Sequence, residues 1–287
     1  MEFPLQQSGQ GQNRAMFNPG KFDMRDWLSP KRLTLVMWDA AYLMRHLPGE
    51  SYENYDRVLD ETIDRGYNTL RLDPMPQLID LEKPETIFRW ADPHAPYMPW
   101  GSDKAGEGAL GMWLIEFMGK VMDRHLNYTL SAWWAAGQPG NEPFQPIALA
   151  PRTHLEAADL WIKLLRSWKK RFGFDGLVYV DLANEVPYFL PGFLKRFEEE
   201  TNAKWDAFGQ PFNTRQIAFF AGELNPALAA LQREFPEIRF TASIHGDERW
   251  LDVPVQFDCS HAAGCTTSQT GIFCGLGRTK RNALNNQ

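Results

Sequence analysis

The chain has 287 residues, 44% of them apolar, which is enough to bury the core of one large domain. Its net charge is −6 and no long run of Lys or Arg occurs, so nucleic acid is not expected as a partner. No signal-like N-terminus and no apolar run long enough for a membrane span are seen, which predicts a soluble, cytoplasmic protein without membrane contacts. No cofactor is expected.

Strand-like and helix-like segments alternate in the first half of the chain. Residues 32–40 predict a strand ending at Asp39, and apolar side chains at helical spacing over 52–68 predict a helix that Gly66 closes. A second strand spans 68–74, with Arg71 inside it. The segment 75–106, rich in Pro, Trp and Asp, predicts an elaborated loop, and a helix follows from Leu110 to Val121.

The same alternation continues in the second half. Further strands are predicted at 127–134, 177–184, 238–248 and 253–261, and amphipathic helices separate most of them. About six strands separated by helices or loops favour a TIM (β/α)8-type barrel over a doubly wound sheet, because polar residues end each strand and a barrel gathers those ends around one cavity. The first strand lacks a glycine-rich phosphate fingerprint, which weakens a nucleotide-binding alternative.

Chemically active side chains collect at these strand ends, and a barrel would bring them to one mouth. They are Asp39, Arg71 with Asp73, Trp133 with Trp134, Asn184 with Glu185, His245 with Asp247 and Glu248, and Asp258 with His261. The eleven tryptophans of the chain add flat apolar rings of the kind that stack on sugars. The sequence therefore predicts one polar, aromatic site.

The motif DLANEVP, at the end of the fourth predicted strand, and the motif TLRLDP, in the second, resemble the (β/α)8 clan of glycoside hydrolases that includes the cellulases. Within that clan the chain is most similar to the cellulase-like, sugar-binding group, over roughly residues 31–261. The resemblance implies that Glu185 is the general acid/base, that Asn184 holds the sugar 2-hydroxyl and that Arg71 supports the nucleophile. It also implies a β-linked oligo- or polysaccharide as the partner.

Glycoside cleavage needs one protonated and one ionised carboxyl group. Glu185 stands among apolar and aromatic neighbours that can raise its pKa. In the resembled clan the second carboxylate is a glutamate ending strand seven, but residues 259–287 contain neither Asp nor Glu. The usual nucleophile is therefore expected to be absent. Either Glu248 or Asp258 then supplies the second carboxylate, or the chain has little or no hydrolytic activity.

The unusual C-terminal composition also sets the predicted domains. A flexible arm at 1–30 precedes a catalytic-type barrel at 31–262, and 263–287 forms an atypical, disordered tail. The barrel is expected to be incomplete at its C-terminus, with open strand edges through which the protein can self-associate.

Several residues have a second interpretation. Asp181, Asn184 and Glu185 can cap a helix. Arg71 can be a buried partner of Asp73 or Asp39, and Asp39 can bind a sugar hydroxyl or cap the next segment. His245 and His261 can contact substrate or be ordinary loop residues, and their spacing with the nearby acids is unlike a metal motif, so no metal is expected.

A different class of function also remains open. The protein can be a non-catalytic carbohydrate-binding protein that uses tryptophans as stacking surfaces, namely Trp38, Trp100, Trp133 or Trp134. Because neighbouring residues of a strand face opposite sides, one of Trp133 and Trp134 is expected in the core.

Overall fold

A parallel β-sheet flanked by helices organises the protein. The computed structural model describes residues 33–90, 106–134, 151–184, 190–204, 214–244, 265–268 and 271–274. Its strands are β1 Leu35–Asp39, β2 Thr69–Leu72, β3 Phe88–Trp90, β4 Gly106–Gly108, β5 Asn127–Ser131, β6 Leu177–Asp181, β7 Phe240–Thr241, β8 Ser243–Ile244, β9 Cys265–Ser268 and β10 Gly271–Cys274. Its helices are α1 Ala41–Met44, α2 Tyr55–Asp64, α3 Leu110–Asp123, α4 His154–Phe172, α5 Pro191–Thr201 and α6 Thr214–Glu234.

Five strands form the central sheet in the order β1-β2-β5-β6-β7, and every neighbouring pair is parallel. Helices lie in the connections between these strands, as they do between consecutive strands of a β/α barrel. The predicted α/β fold with a parallel sheet is confirmed. Within the described ranges, β1 and β7 each pair with a single parallel neighbour.

The helices cover one face of the sheet with a dense apolar layer. In β5, Tyr128 and Leu130 are buried in this layer. Thr129 and Ser131, which alternate with them along the strand, belong to the opposite, polar face. Helix α4 contributes Trp161 and Trp168, both fully buried. Burial of each such side chain contributes roughly 2 kcal/mol, so this layer fixes where the strand ends lie.

Local capping sets the ends of the helices in this layer. The Asn54 side chain accepts from the Arg57 amide at the start of α2, and the Thr153 hydroxyl accepts from the Glu156 amide at the start of α4. Helix α4 ends at Gly173, whose φ of 71° is one that glycine adopts without strain.

The structure adds detail to two predicted segments. The predicted loop at 75–106 contains β3, which pairs antiparallel with β4; Gly108 ends this ribbon where the Trp113 ring leaves no room for a Cβ atom. The predicted strand at 238–248 is divided into β7, in the parallel sheet, and β8, which pairs with β10. At the division the Ser243 amide donates to the Asp181 side chain, 2.9 Å away, and to the Ala183 carbonyl, 3.2 Å away.

Other predictions fall partly or wholly outside the described residues. The N-terminal arm at 1–30 and the strand at 253–261 do so completely. In the predicted tail, β9 and β10 form an antiparallel pair joined to β8. None of the helices within the described ranges is both long and apolar enough to cross a membrane.

His154, the first residue of α4, is a buried titratable group in this apolar layer. It is fully buried against the rings of Phe193 and Phe220, at centroid distances of 5.2 and 5.6 Å. Neither of its ring nitrogens has a hydrogen-bond partner among the described residues. Burial, with a smaller contribution from nearby Arg196, lowers the pKa of His154 to about 3.

We therefore predict an acid-sensitive fold that depends on His154. The unfolded chain takes up a proton near the usual histidine pKa of about 6.5, whereas the folded chain does not until about pH 3. Stability is then lost as the pH falls through this window, by about 2 kcal/mol between pH 7 and pH 5. His154→Leu should abolish this part of the pH dependence in urea unfolding followed by circular dichroism.

Phe193→Leu is the matched control, because it changes the same cluster without removing a titratable group. It should lower stability equally at both pH values. A His154→Leu variant with the wild-type difference between pH 7 and pH 5 would contradict the assignment.

The outer edge of β1 generates a second prediction. Leu33, next to this strand, and Met37, within it, are 40% and 48% exposed, and β1 has no second strand neighbour among the described residues. Such an edge pairs readily with other chains. Sedimentation velocity should show self-association that rises with protein concentration, and Leu33→Lys should weaken it because a charge opposes edge pairing. A monomer at every concentration would refute this prediction.

Candidate functional site

Polar side chains from four parallel strands meet at the carboxyl-terminal edge of the sheet. Asp39 ends β1, Arg71 lies in β2, Ser131 ends β5 and Asp181 ends β6. Each is at most 6% exposed, although each is polar or charged. Buried polar groups are retained where hydrogen bonds or charge pairing compensate their lost hydration, so the contacts of this cluster determine its chemistry.

The Arg71 guanidinium group is the centre of the cluster. Its Nη2 donates to Asn184 Oδ1 and to Ser131 Oγ, the latter at 3.1 Å. Its Nε lies 3.9 Å from Asp39 Oδ1 but makes no hydrogen bond within the described part of the chain. Arg71 therefore links the ends of β1, β5 and β6, while its Nε has no acceptor among the described residues.

Asp39 is held in an uncommon backbone conformation. Its φ is 44°, a left-handed value, and the β1–β2 pairing shifts register between Met37 and Asp39. The carboxylate accepts from the indole nitrogen of Trp133 at 3.3 Å. Burial raises the pKa of Asp39, and the Arg71 charge and the Trp133 hydrogen bond oppose that rise. Backbone strain of this kind is concentrated at functional sites.

Asp73, which follows β2, also binds backbone groups at this edge of the sheet. Its two oxygens accept from the backbone amides of Met75, at 2.7 Å, and Trp133, at 3.0 Å. Burial raises the pKa of Asp73 to about 7, while the two backbone hydrogen bonds act in the opposite direction. Asp73 thus anchors the backbone of Trp133 beside Asp39.

Asp181 forms a second polar centre that the sequence did not identify as part of the site. It is fully buried and accepts from the Ser131 hydroxyl at 3.0 Å, from the Ser243 amide at 2.9 Å and from the Ser243 hydroxyl. Burial raises its pKa, and the Arg71 charge and these hydrogen bonds oppose the rise. The sequence signal for Asp181 is its own position, since it is the acid that ends the apolar run LVYV at 177–180.

A cavity of about 890 Å³ opens over this cluster. Asp39, Arg71, Trp133, Asn184 and Ser243 line it at the strand ends, and it continues past the side of β1 to α2. Its volume is within the range of roughly 300–1,000 Å³ that is typical of ligand sites. Charged, amide and aromatic groups thus converge on a space that can hold a polar ligand.

Asn184 presents its carboxamide at the cavity wall. Asn184 is 3% exposed, and its backbone NH donates to the Ala132 carbonyl at 2.8 Å. Its side-chain Oδ1 accepts from Arg71. Its Nδ2 has no hydrogen-bond partner among the residues that the structure describes. A buried donor of this kind is costly unless a ligand supplies an acceptor.

The two neighbouring tryptophans have different surroundings. Trp133 lines the cavity, whereas Trp134 is fully buried and its indole nitrogen donates to the Leu182 carbonyl at 2.9 Å. Trp134, predicted as a substrate-binding residue, is therefore a core residue, because neighbours of an extended chain face opposite sides. Trp38 touches the cavity but is 8% exposed and packs edge-on against Tyr52.

The remaining predicted site residues lie outside the described part of the chain. These are Glu185, Glu248 and Asp258, predicted as catalytic, the substrate-binding candidates His245 and His261, and Trp100. Their assignments stay predictions.

Comparison with known proteins agrees with this architecture. The model of the family described as cellulase-like, sugar-binding cellulase-like, matches residues 35–260. No curated protein sequence is significantly similar to the chain.

Two solved structures are similar to the chain, and the first of them has the same fold. A protein of Parabacteroides distasonis ATCC 8503, described as a candidate glycoside hydrolase, is 27% identical with a TM-score of 0.62, over 78% of this chain and 55% of that one. An endocellulase of Pyrococcus horikoshii in complex with cellotetraose is 15% identical with a TM-score of 0.39, over 75% and 51%. This chain thus spans about half the length of these proteins.

The central position of Arg71 makes a testable prediction. Arg71→Met should destabilise the protein by about 3 kcal/mol, because removing one partner of a buried charge cluster leaves the others uncompensated. Urea unfolding at pH 7 measures this loss. Arg166→Met is the control, since Arg166 pairs with Glu234 on the helix surface and should matter little. Equal effects of the two substitutions would show that Arg71 is not central.

Proposed function

The chain belongs to the cellulase-like, sugar-binding family, and on that premise we propose that its cavity binds a β-linked oligo- or polysaccharide and that the protein is a glycoside hydrolase. Glu185 is the general acid/base, Asn184 holds a sugar hydroxyl, and Asp39 and Trp133 contact the same sugar. The P. horikoshii endocellulase, which was solved with cellotetraose, suggests cello-oligosaccharides as first test ligands.

The observation that carries this proposal is the placement of Asn184. Its side chain lines the cavity, is oriented by Arg71 and keeps a free Nδ2 donor among the described residues. A sugar hydroxyl is an acceptor of suitable size for such a donor. Glu185 follows directly in sequence, so an Asn-Glu pair at a strand end beside a polar cavity supports a glycosidase assignment.

In the proposed reaction Glu185 donates its proton to the glycosidic oxygen as the bond to the anomeric carbon breaks. A second carboxylate, from Glu248 or Asp258, either attacks that carbon or takes a proton from the attacking water. Arg71 stabilises negative charge at this side of the cavity because its Nε is not used in a hydrogen bond within the described residues.

A binding function without hydrolysis is the second candidate. The carboxylates described at the site, Asp39, Asp73 and Asp181, are at most 5% exposed and already accept hydrogen bonds. Residues 259–287 contain no further acid. If neither Glu248 nor Asp258 reaches the cavity, the protein binds sugar without hydrolysis, through contacts that include Trp133 and Asn184.

We also propose that the barrel is open between β7 and β1.

The proposed acid/base predicts a specific loss of activity. Glu185→Gln removes the transferable proton but keeps the shape of the side chain, so hydrolysis of aryl β-glycosides and cello-oligosaccharides should fall at least a hundredfold. Calorimetric affinity for cellotetraose should change little, because the glutamine still forms hydrogen bonds. Product release by chromatography and titration calorimetry measure the two quantities.

Glu116→Gln is the matched control, since Glu116 lies on α3 away from the cavity lining. Hydrolysis that survives Glu185→Gln would refute the acid/base role. Binding of cellotetraose by the wild type without any hydrolysis would select the non-catalytic alternative.

A further inference from the structure

The Asp181 carboxylate occupies a position from which it can control the sugar-binding groups without touching sugar. It is fully buried, whereas Arg71 and Asn184 line the cavity. Its Oδ2 accepts from the hydroxyls of Ser131 and Ser243, and its Oδ1 accepts from the Ser243 amide. Three donors on one carboxylate tie the ends of β5 and β6 to Ser243.

The Ser131 hydroxyl has one proton, and this limits its contacts. It donates that proton to Asp181, so it meets Arg71 Nη2, 3.1 Å away, as an acceptor. The direction of the second hydrogen bond thus depends on the first. A group at 181 that donated a hydrogen bond to Ser131 would take this acceptor away from the hydroxyl proton, so the proton would no longer be held away from Arg71.

The hydrogen bond between Ser131 and Arg71 also affects the side chain of Asn184 at the cavity wall. The same Nη2 that donates to Ser131 also donates to Asn184 Oδ1. Because a carboxamide is rigid, the direction of Oδ1 also sets the direction of Nδ2, the donor without a partner among the described residues. The contacts therefore run from Asp181 through Ser131 and Arg71 to the sugar-facing amide.

From this chain of contacts we propose that Asp181 is a positioning residue, which acts through Ser131 to hold Arg71 and Asn184 in sugar-binding geometry. The proposal rests on the proposed carbohydrate function. It assigns to Asp181 an effect on ligand affinity beyond any effect on stability, which a purely structural residue would not have.

Asp181→Asn and Ser131→Ala test the chain of contacts at two points. Each should weaken cellotetraose binding about tenfold in titration calorimetry, since Ser131→Ala removes the acceptor of Arg71 Nη2 and Asp181→Asn replaces one carboxylate acceptor with an amide donor. If Asp181 acts through Ser131, the double variant should be no weaker than either single variant. Ser131→Ala is the smaller change and reports on the same contact if Asp181→Asn folds poorly.

Val180→Ala is the matched control. Val180 precedes Asp181 in β6 but is buried in the apolar layer, so its truncation should lower the melting temperature and leave affinity unchanged. In a variant that carries both Val180→Ala and Asp181→Asn, the affinity for cellotetraose should equal that of Asp181→Asn alone.

Three outcomes would contradict the positioning role of Asp181, and one of them would also contradict the proposed function. Wild-type affinity in folded Asp181→Asn or Ser131→Ala would overturn the positioning role and leave the proposed function intact. Additive losses in the double variant would also overturn it, because Asp181 would then act by another route. A wild type that binds none of a panel of β-1,4-linked gluco-, manno- and xylo-oligosaccharides would contradict the proposed function itself, and the positioning role with it.

Discussion

The buried guanidinium group of Arg71 is the feature on which the rest of the site depends. A cation removed from water is tolerated when acceptors and opposite charge surround it. Here Asn184 and Ser131 supply acceptors, and Asp39 supplies charge 3.9 Å away. These groups come from strands that are distant in sequence, so the charge can be compensated only when the strand ends assemble in one register.

The apolar layer and the polar face make complementary contributions to this assembly. Tyr128 and Leu130 pack β5 against the helices, and that packing places Ser131 between Arg71 and Asp181. Much of the burial free energy comes from the apolar side, while the polar side selects one arrangement of donors and acceptors. The outcome is a preformed site in which Arg71 Nε and Asn184 Nδ2 have no hydrogen-bond partner among the described residues.

Features set by local periodicity were predictable from the sequence. Alternation and short apolar runs located β1, β2, β5 and β6, and the polar residues that end them identified Asp39, Arg71 and Asn184. Contacts between distant positions were not predictable. Asp181 meets Ser131 and Ser243 across 50 and 62 residues, and nothing local distinguishes these serines from ordinary loop residues.

The choice between Trp133 and Trp134 shows the same limit. Strand geometry predicts that one of them faces the core, but which one depends on Asp73 and Asp39, whose contacts with Trp133 are tertiary. The β3–β4 ribbon also consists of contacts between distant positions, because Phe88 pairs with Gly108 and Arg89 with Glu107. The sequence pattern of 75–106, rich in Pro and Asp, did not indicate that pairing.

The assignment of the cavity as a sugar site can be tested by a crystal structure of the protein soaked with cellotetraose. We expect a sugar ring in the cavity beside Trp133, with a hydroxyl oxygen within hydrogen-bond distance of Asn184 Nδ2 and the Glu185 carboxyl group facing the glycosidic oxygen. A sugar bound elsewhere on the molecule, or a Glu185 side chain packed away from the cavity, would contradict it.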